Sequence, residues 1–140
     1  MGMKRLWKIT TIFALCFSLS ACANQTSQQP KLVSAIYISG IHQDAPLSCF
    51  YSEPKKMETI LYYLRSLEDL GKPKQDPERI MGDSFKITVF FTDGTSHIYR
   101  QQANQFLSRN DKPWRKVDAR RAAMLYPLLA AMPVDQATGA

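Results

Sequence analysis

From Phe85 onward the hydrophobic positions alternate. Phe85, Ile87, Val89 and Phe91 are separated by Lys86, Thr88 and Phe90, the period of two that belongs to a β-strand. Asp93-Gly94 follows, then a second β-rich run from Thr95 to Gln101. Asp-Gly between two such runs predicts a hairpin closed by a two-residue type I′ turn, with positive φ at both positions. That register sets Val89 opposite Ile98, Phe90 opposite His97 and Thr88 opposite Tyr99. Phe85, Ile87, Val89 and Phe91, with Ile98, are then expected to cover a helix, and Phe90, His97 and Tyr99 to occupy the other face.

Between 53 and 70 the period changes. Met57, Ile60, Leu61, Leu64 and Leu67 recur at helical spacing among Lys55, Lys56, Glu58, Arg65 and Glu68, which predicts an amphipathic helix. Ser52 is the expected N-cap, Pro54 suits the first turn, Gly71 stands where a C′ glycine belongs, and Pro73 bars continuation. Upstream, Leu32 to Ser39 is apolar on both parities, as in a central strand. Gly40 and a loop over 42–46 are expected to end it, with Leu47 to Tyr51 a short second strand. Lys72 to Asp83 reads as a polar connector, and Gln102 to Lys116 as a loop anchored by Phe106 and Trp114. After Asp118, a cap, the stripe Ala122, Leu125, Leu128, Leu129 and Met132 predicts a last helix. Pro127 lies inside it and removes a backbone donor, so a kink near Tyr126 or two short segments are expected. The order β-(β)-α-β-β-α implies an α+β class: a small, mainly antiparallel sheet with two helices packed on one face. The single domain spans 32–133, with a disordered tail over 134–140.

The first thirty residues follow neither period. Lys4, Arg5 and Lys8 precede an uncharged stretch of 13 residues, Ile9 to Ala21. As a helix this is about 20 Å long, short of the roughly 30 Å hydrocarbon core of a bilayer. A basic start, a short apolar run and small residues at its end read as an export signal and not as a permanent span. The run closes on Leu19-Ser20-Ala21-Cys22, which resembles the lipobox of bacterial lipoproteins at all four positions. The resemblance covers about 22 residues and leaves the folded domain unassigned. It implies a signal peptide over 1–21, removed before Cys22, and a diacylglyceryl group on the Cys22 sulfur. With further acyl chains such as palmitate, it implies a firm membrane anchor. Residues 22–31 then form a lipidated, flexible tether, too polar to bury a core. Anchoring on the exported side of the cell membrane or the outer membrane follows from the same resemblance, and Ala23 after Cys22 resembles the pattern that permits outer-membrane transfer.

Signal removal changes the charge. The chain has 18 basic and 12 acidic residues, a net +6; without Lys4, Arg5 and Lys8 the balance is 15 against 12, or +3. So modest a surplus argues against a dedicated nucleic-acid binder. Cys16 leaves with the signal and Cys22 is taken by lipid, so Cys49 stays free and no internal disulfide is available.

The chemistry-bearing candidates are sparse. His42 and Asp44 near Cys49 sit on one loop and lack the converging ligands a metal needs. His97 near Asp93 is the other loose pairing, with His97 expected to stack on Phe90. No G-x-S-x-G, H-E-x-x-H or glycine-rich phosphate loop occurs, and no cofactor or metal is expected. The strongest local signal is basic: Arg109, Lys112, Arg115, Lys116, Arg120 and Arg121 against Asp111 and Asp118 give a local +4 around Trp114. Cations around an aromatic suit an anionic lipid surface, a wall polymer or an envelope protein. Two readings stand: a non-catalytic, membrane-anchored envelope lipoprotein that binds through this segment, and a small exported enzyme, hydrolytic in type, using His97 or Cys49.

Overall fold

A computed structural model of the chain describes residues 30–135. Its elements are β1 (Val33–His42), β2 (Ala45–Tyr51), α1 (Pro54–Ser66), a 3-10 turn (Pro77–Arg79), β3 (Ser84–Phe91), β4 (Ser96–Gln102), β5 (Phe106–Arg109), β6 (Arg115–Lys116), α2 (Ala119–Ala122) and α3 (Leu125–Ala131). The strands make one sheet in the order β2-β1-β3-β4-β5-β6, antiparallel at every step. The expected α+β class, with helices gathered on one face of an antiparallel sheet, is the observed one. The signal segment, Cys22 and most of the tether lie outside the described residues.

Ile36 and Ile38 on β1 stand in register with Tyr51 and Cys49 on β2 and with Val89 and Ile87 on β3. All six are buried against Met57, Ile60, Tyr63 and Leu64 of α1 and against Ala122, Leu125 and Leu129 of the last two helices. β1 is central, as its two apolar parities require. It does not stop at Gly40 but runs on to His42, because Gly40 sits where any Cβ would strike the Ser84 carbonyl oxygen and the Phe85 ring. A glycine here is what lets β1 and β3 approach.

Four local expectations are corrected. The helix ends at Ser66, not 70; Leu67 is extended and buried, so Leu67 packs as core without extending the helix. The helix N-cap is Glu53 in place of Ser52, with no side-chain cap bond. Asp135 instead fixes the two residues that lead into the helix, its carboxylate accepting from the Ser52 and Glu53 N–H groups at 2.8 and 2.7 Å. Lys56 and these N–H groups hold the Asp135 carboxyl down at about 2. Of the tail expected over 134–140, Asp135 is thus tied to the body, and 136–140 lie outside the described residues.

The β3–β4 turn is the third correction. Phe91 N–H donates to Thr95 O at 2.9 Å and Gly94 N–H to Phe91 O at 3.1 Å, a three-residue loop with positive φ at Gly94 and not at Asp93. The Asp93 carboxylate instead accepts from the Thr95 N–H and hydroxyl. The register moves by one: Val89 faces His97, Thr88 faces Ile98 and Ile87 faces Tyr99. Tyr99 and Gln101 therefore turn toward the helices and Ile98 away from them, since one step of register exchanges the two faces. His97 meets Phe91 edge-on at 4.8 Å, not Phe90.

The fourth is the segment 102–116, expected as a loop, which contains β5 and β6. It is folded by two turns, Ala103-Asn104 and Asn110-Asp111, with positive φ at both central residues, as the mirror-image hairpin turns need. Gln43-Asp44 makes a third between β1 and β2. The last helix is two segments, as Pro127 implies, although the break falls at 123–124 and Pro127 lies in the first turn of α3, where its missing donor costs least.

Candidate functional site

The basic segment does not form one patch. β5 and β6 spread its side chains over both faces of the sheet edge. Arg109, Lys112 and Arg115 line one cleft, floored by Leu67, Leu107 and Val117, with a volume of ≈ 290 Å³. The cleft exists because α1 stops at Ser66, so that Leu67 to Asp69 pass beside the short outer strands. Leu70 N–H and Gly71 O then pair with the backbone of Lys116 at 2.8 Å each, which closes the free edge of β6.

The cations of this cleft differ in what already holds them. Arg115 Nε lies 2.9 and 2.7 Å from the two Asp69 oxygens, and that guanidinium, with the Gly71 N–H, holds the Asp69 carboxyl below its usual range. The Arg109 guanidinium carbon sits 5.9 Å from the Tyr99 ring centroid, and neither Arg109 nor Lys112 has a carboxylate within ion-pair distance among the described residues. Arg109 also lines an adjoining hollow of ≈ 210 Å³ with Leu61, Leu64, Tyr99 and Arg65. Arg65 is a contributor that the run of basic residues over 109–121 could not reveal, because it arrives from the last turn of α1. An apolar floor under two uncommitted cations can take an anionic group carrying a hydrocarbon or aromatic part.

The remaining members lie elsewhere. Arg121 donates to the Ser66 carbonyl at 3.3 Å, covering the carbonyl end of α1. Asp118 caps α2 by accepting from the Arg120 and Arg121 N–H groups. Arg120 and Lys116 are exposed, and Trp114 is half-buried on the opposite face of the sheet.

Cys49 and His97 are not brought together. They stand on β2 and β4, three strand steps apart, which is about 14 Å. Cys49 is buried in the core, and burial pushes its thiol up, partly offset by Tyr51. His42 does not pair with Asp44. Its Nδ1 lies 2.6 Å from Asp83 Oδ2, and its ring stacks on Tyr126 with centroids 3.5 Å apart. Burial raises the Asp83 carboxyl, but the Gln43 N–H and His42 outweigh it and hold it below its ordinary value. Among the described residues no three His, Cys, Asp or Glu side chains gather as metal ligands.

The covered face hides one polar group that periodicity does not flag. Gln101 is 1% exposed; its Oε1 accepts from the Tyr63 hydroxyl at 2.6 Å and its Nε2 donates to Ala122 O at 3.0 Å. This knot ties α1, β4 and α2 together, and burial pushes the Tyr63 hydroxyl well above its usual range. No family model, no curated protein and no solved structure matches the chain.

Proposed function

We propose that the chain is a lipid-anchored envelope protein whose folded domain is a binding module for anionic lipid headgroups. The lipobox-like Leu19-Ser20-Ala21-Cys22 supports the anchor. The observation that carries the binding reading is the cleft in which Arg109 and Lys112 flank Leu67, Leu107 and Val117. A tether of nine residues after Cys22 reaches at most about 30 Å, so headgroups lie within range of this edge. Each basic side chain close to anionic lipid contributes about 1 kcal/mol, and the effect fades beyond a Debye length of about 8 Å at physiological salt. The cleft therefore orients the domain, and the acyl chains hold it.

The test uses the same chain twice. Intact-mass analysis should find an acylated N-terminus at Cys22, and Cys22→Ser should leave the membrane fraction. An unmodified protein starting elsewhere would refute the anchor. The Cys22→Ser chain should then sediment with anionic vesicles more than with neutral ones and release in high salt. Arg109→Gln with Lys112→Gln should weaken that retention on the order of 30-fold. Equal retention on both vesicle types would remove the headgroup reading.

A further inference from the structure

The face of the sheet turned away from the helices carries a second concavity. Ile41, Lys86, Arg100 and Gln102 share the outward parity of β1, β3 and β4, and with Glu78 of the 3-10 turn and Trp114 they line a trough of ≈ 430 Å³. That volume falls within the range of small-molecule sites. Lys86 and Arg100 stand directly opposite each other across the β3–β4 ladder. Like charges in that position repel and destabilise a sheet. Arg100 has partial relief from Asp111 at 3.8 Å. Lys86 has no carboxylate within ion-pair distance among the described residues.

We infer that this trough is a binding site for a carboxylate-bearing saccharide. Lys86 and Arg100 together take the carboxylate, for which a guanidinium offers paired donors. Their mutual repulsion is relieved when the anion arrives. The Trp114 indole offers a flat apolar surface to the C–H face of a sugar ring, and an indole is amphipathic enough to serve at a wet site. Glu78 accepts from sugar hydroxyls, and the Ser39 and Ser84 hydroxyls at the same trough can donate or accept. A simple polyanion would not be matched by Glu78, and a neutral sugar would leave Lys86 without a counter-charge beside Arg100. The site lies on the opposite face from the cationic cleft, so it stands whether or not that cleft meets lipid.

Trp114 makes the test direct. The chain has two tryptophans, Trp7 and Trp114, so the full chain carrying Trp7→Phe reports from the trough alone. Titration with N-acetylmuramic acid should change Trp114 emission saturably. N-acetylglucosamine, which lacks the lactyl carboxylate, should bind at least tenfold more weakly. Lys86→Gln should lose the response by tenfold or more while the unfolding midpoint without ligand stays the same or rises, because the repulsion is gone. Lys86→Arg should keep binding within a few-fold. An equal response to both sugars overturns the role given to the cations. The same response to inorganic phosphate overturns the saccharide. A silent Trp114 with every probe, or a Lys86→Gln chain that binds like the parent, overturns the site.

Discussion

The two faces of this sheet are built from alternate residues of the same strands, yet they obey different rules. On the covered face Ile36, Ile38 and Ile87 are wholly inaccessible, and the polar atoms of Gln101 and Tyr63 are paired with each other or with backbone. On the open face Tyr37, Phe50 and Phe90 are each more than a third exposed, and Lys86 opposes Arg100. A face selected only for stability would not place two cations across a ladder. The difference teaches that the covered face holds the register, and that the open face is free to carry groups whose contribution to folding is unfavourable.

The sharpest way to break that comparison is to truncate neighbours. Ile38→Ala removes a fully buried side chain and should cost about 2–5 kcal/mol. Tyr37→Ala, one residue earlier and on the other face, loses exposed ring area and a hydroxyl contact with Ser48 at 3.0 Å, and should cost on the order of 1 kcal/mol. Chemical denaturation of the pair measures both. Equal losses would mean that the open face is packed against something in solution.

What was legible in the sequence follows the same division. The alternation of Phe85, Ile87 and Val89, the helical stripe from Met57 to Leu64 and the two-sided apolar run of β1 are all signatures of burial, and each element formed. The Asp93-Gly94 register was not legible. Both candidate turns place Gly94 at positive φ, and the choice between them rests on the Asp93 carboxylate reaching Thr95. β5 and β6 were hidden because each is short: β6 has two residues, and its partners, Leu107 and Leu70–Gly71, are distant in sequence or lie across a turn. The basic run over 109–121 was visible as composition. Its division between two faces was not, because that depends on two turns that contain no glycine.

The second test lies within the covered face. Gln101→Leu keeps the size of the side chain but removes one acceptor of the Tyr63 hydroxyl and one donor to Ala122 O, while the hydroxyl still donates to that carbonyl at 2.9 Å. The cost should be about 1 kcal/mol, that of the lost hydrogen bonds, because the Tyr63 hydroxyl and Ala122 O still satisfy each other. Adding Tyr63→Phe to Gln101→Leu should cost about 1 kcal/mol more, since it takes the remaining side-chain donor from Ala122 O. A double variant as stable as Gln101→Leu would show that the Tyr63 hydroxyl contributes nothing at this knot once Gln101 is gone.

The smallest effect belongs to a residue on neither face. Ala103 has φ +54° in the turn between β4 and β5, a conformation that its Cβ disfavours by about 1–2 kcal/mol. The turn passes close to Gly82, where a Cβ would come within 3.0 and 3.1 Å of the Ala103 Cα and Cβ. The position persists because the flanking strands are held: Ala103 N–H donates to Asp83 O at 2.7 Å, and Gln101 is locked two residues before. Ala103→Gly should therefore relieve the backbone. Part of the gain is lost to the greater freedom of glycine in the unfolded chain, about 0.4–1 kcal/mol, so a net rise of about 0.5 kcal/mol is expected from denaturation midpoints. A fall would mean that the Ala103–Gly82 contact outweighs the turn, and that this end of the sheet is stabilised by packing more than by the register of the covered face.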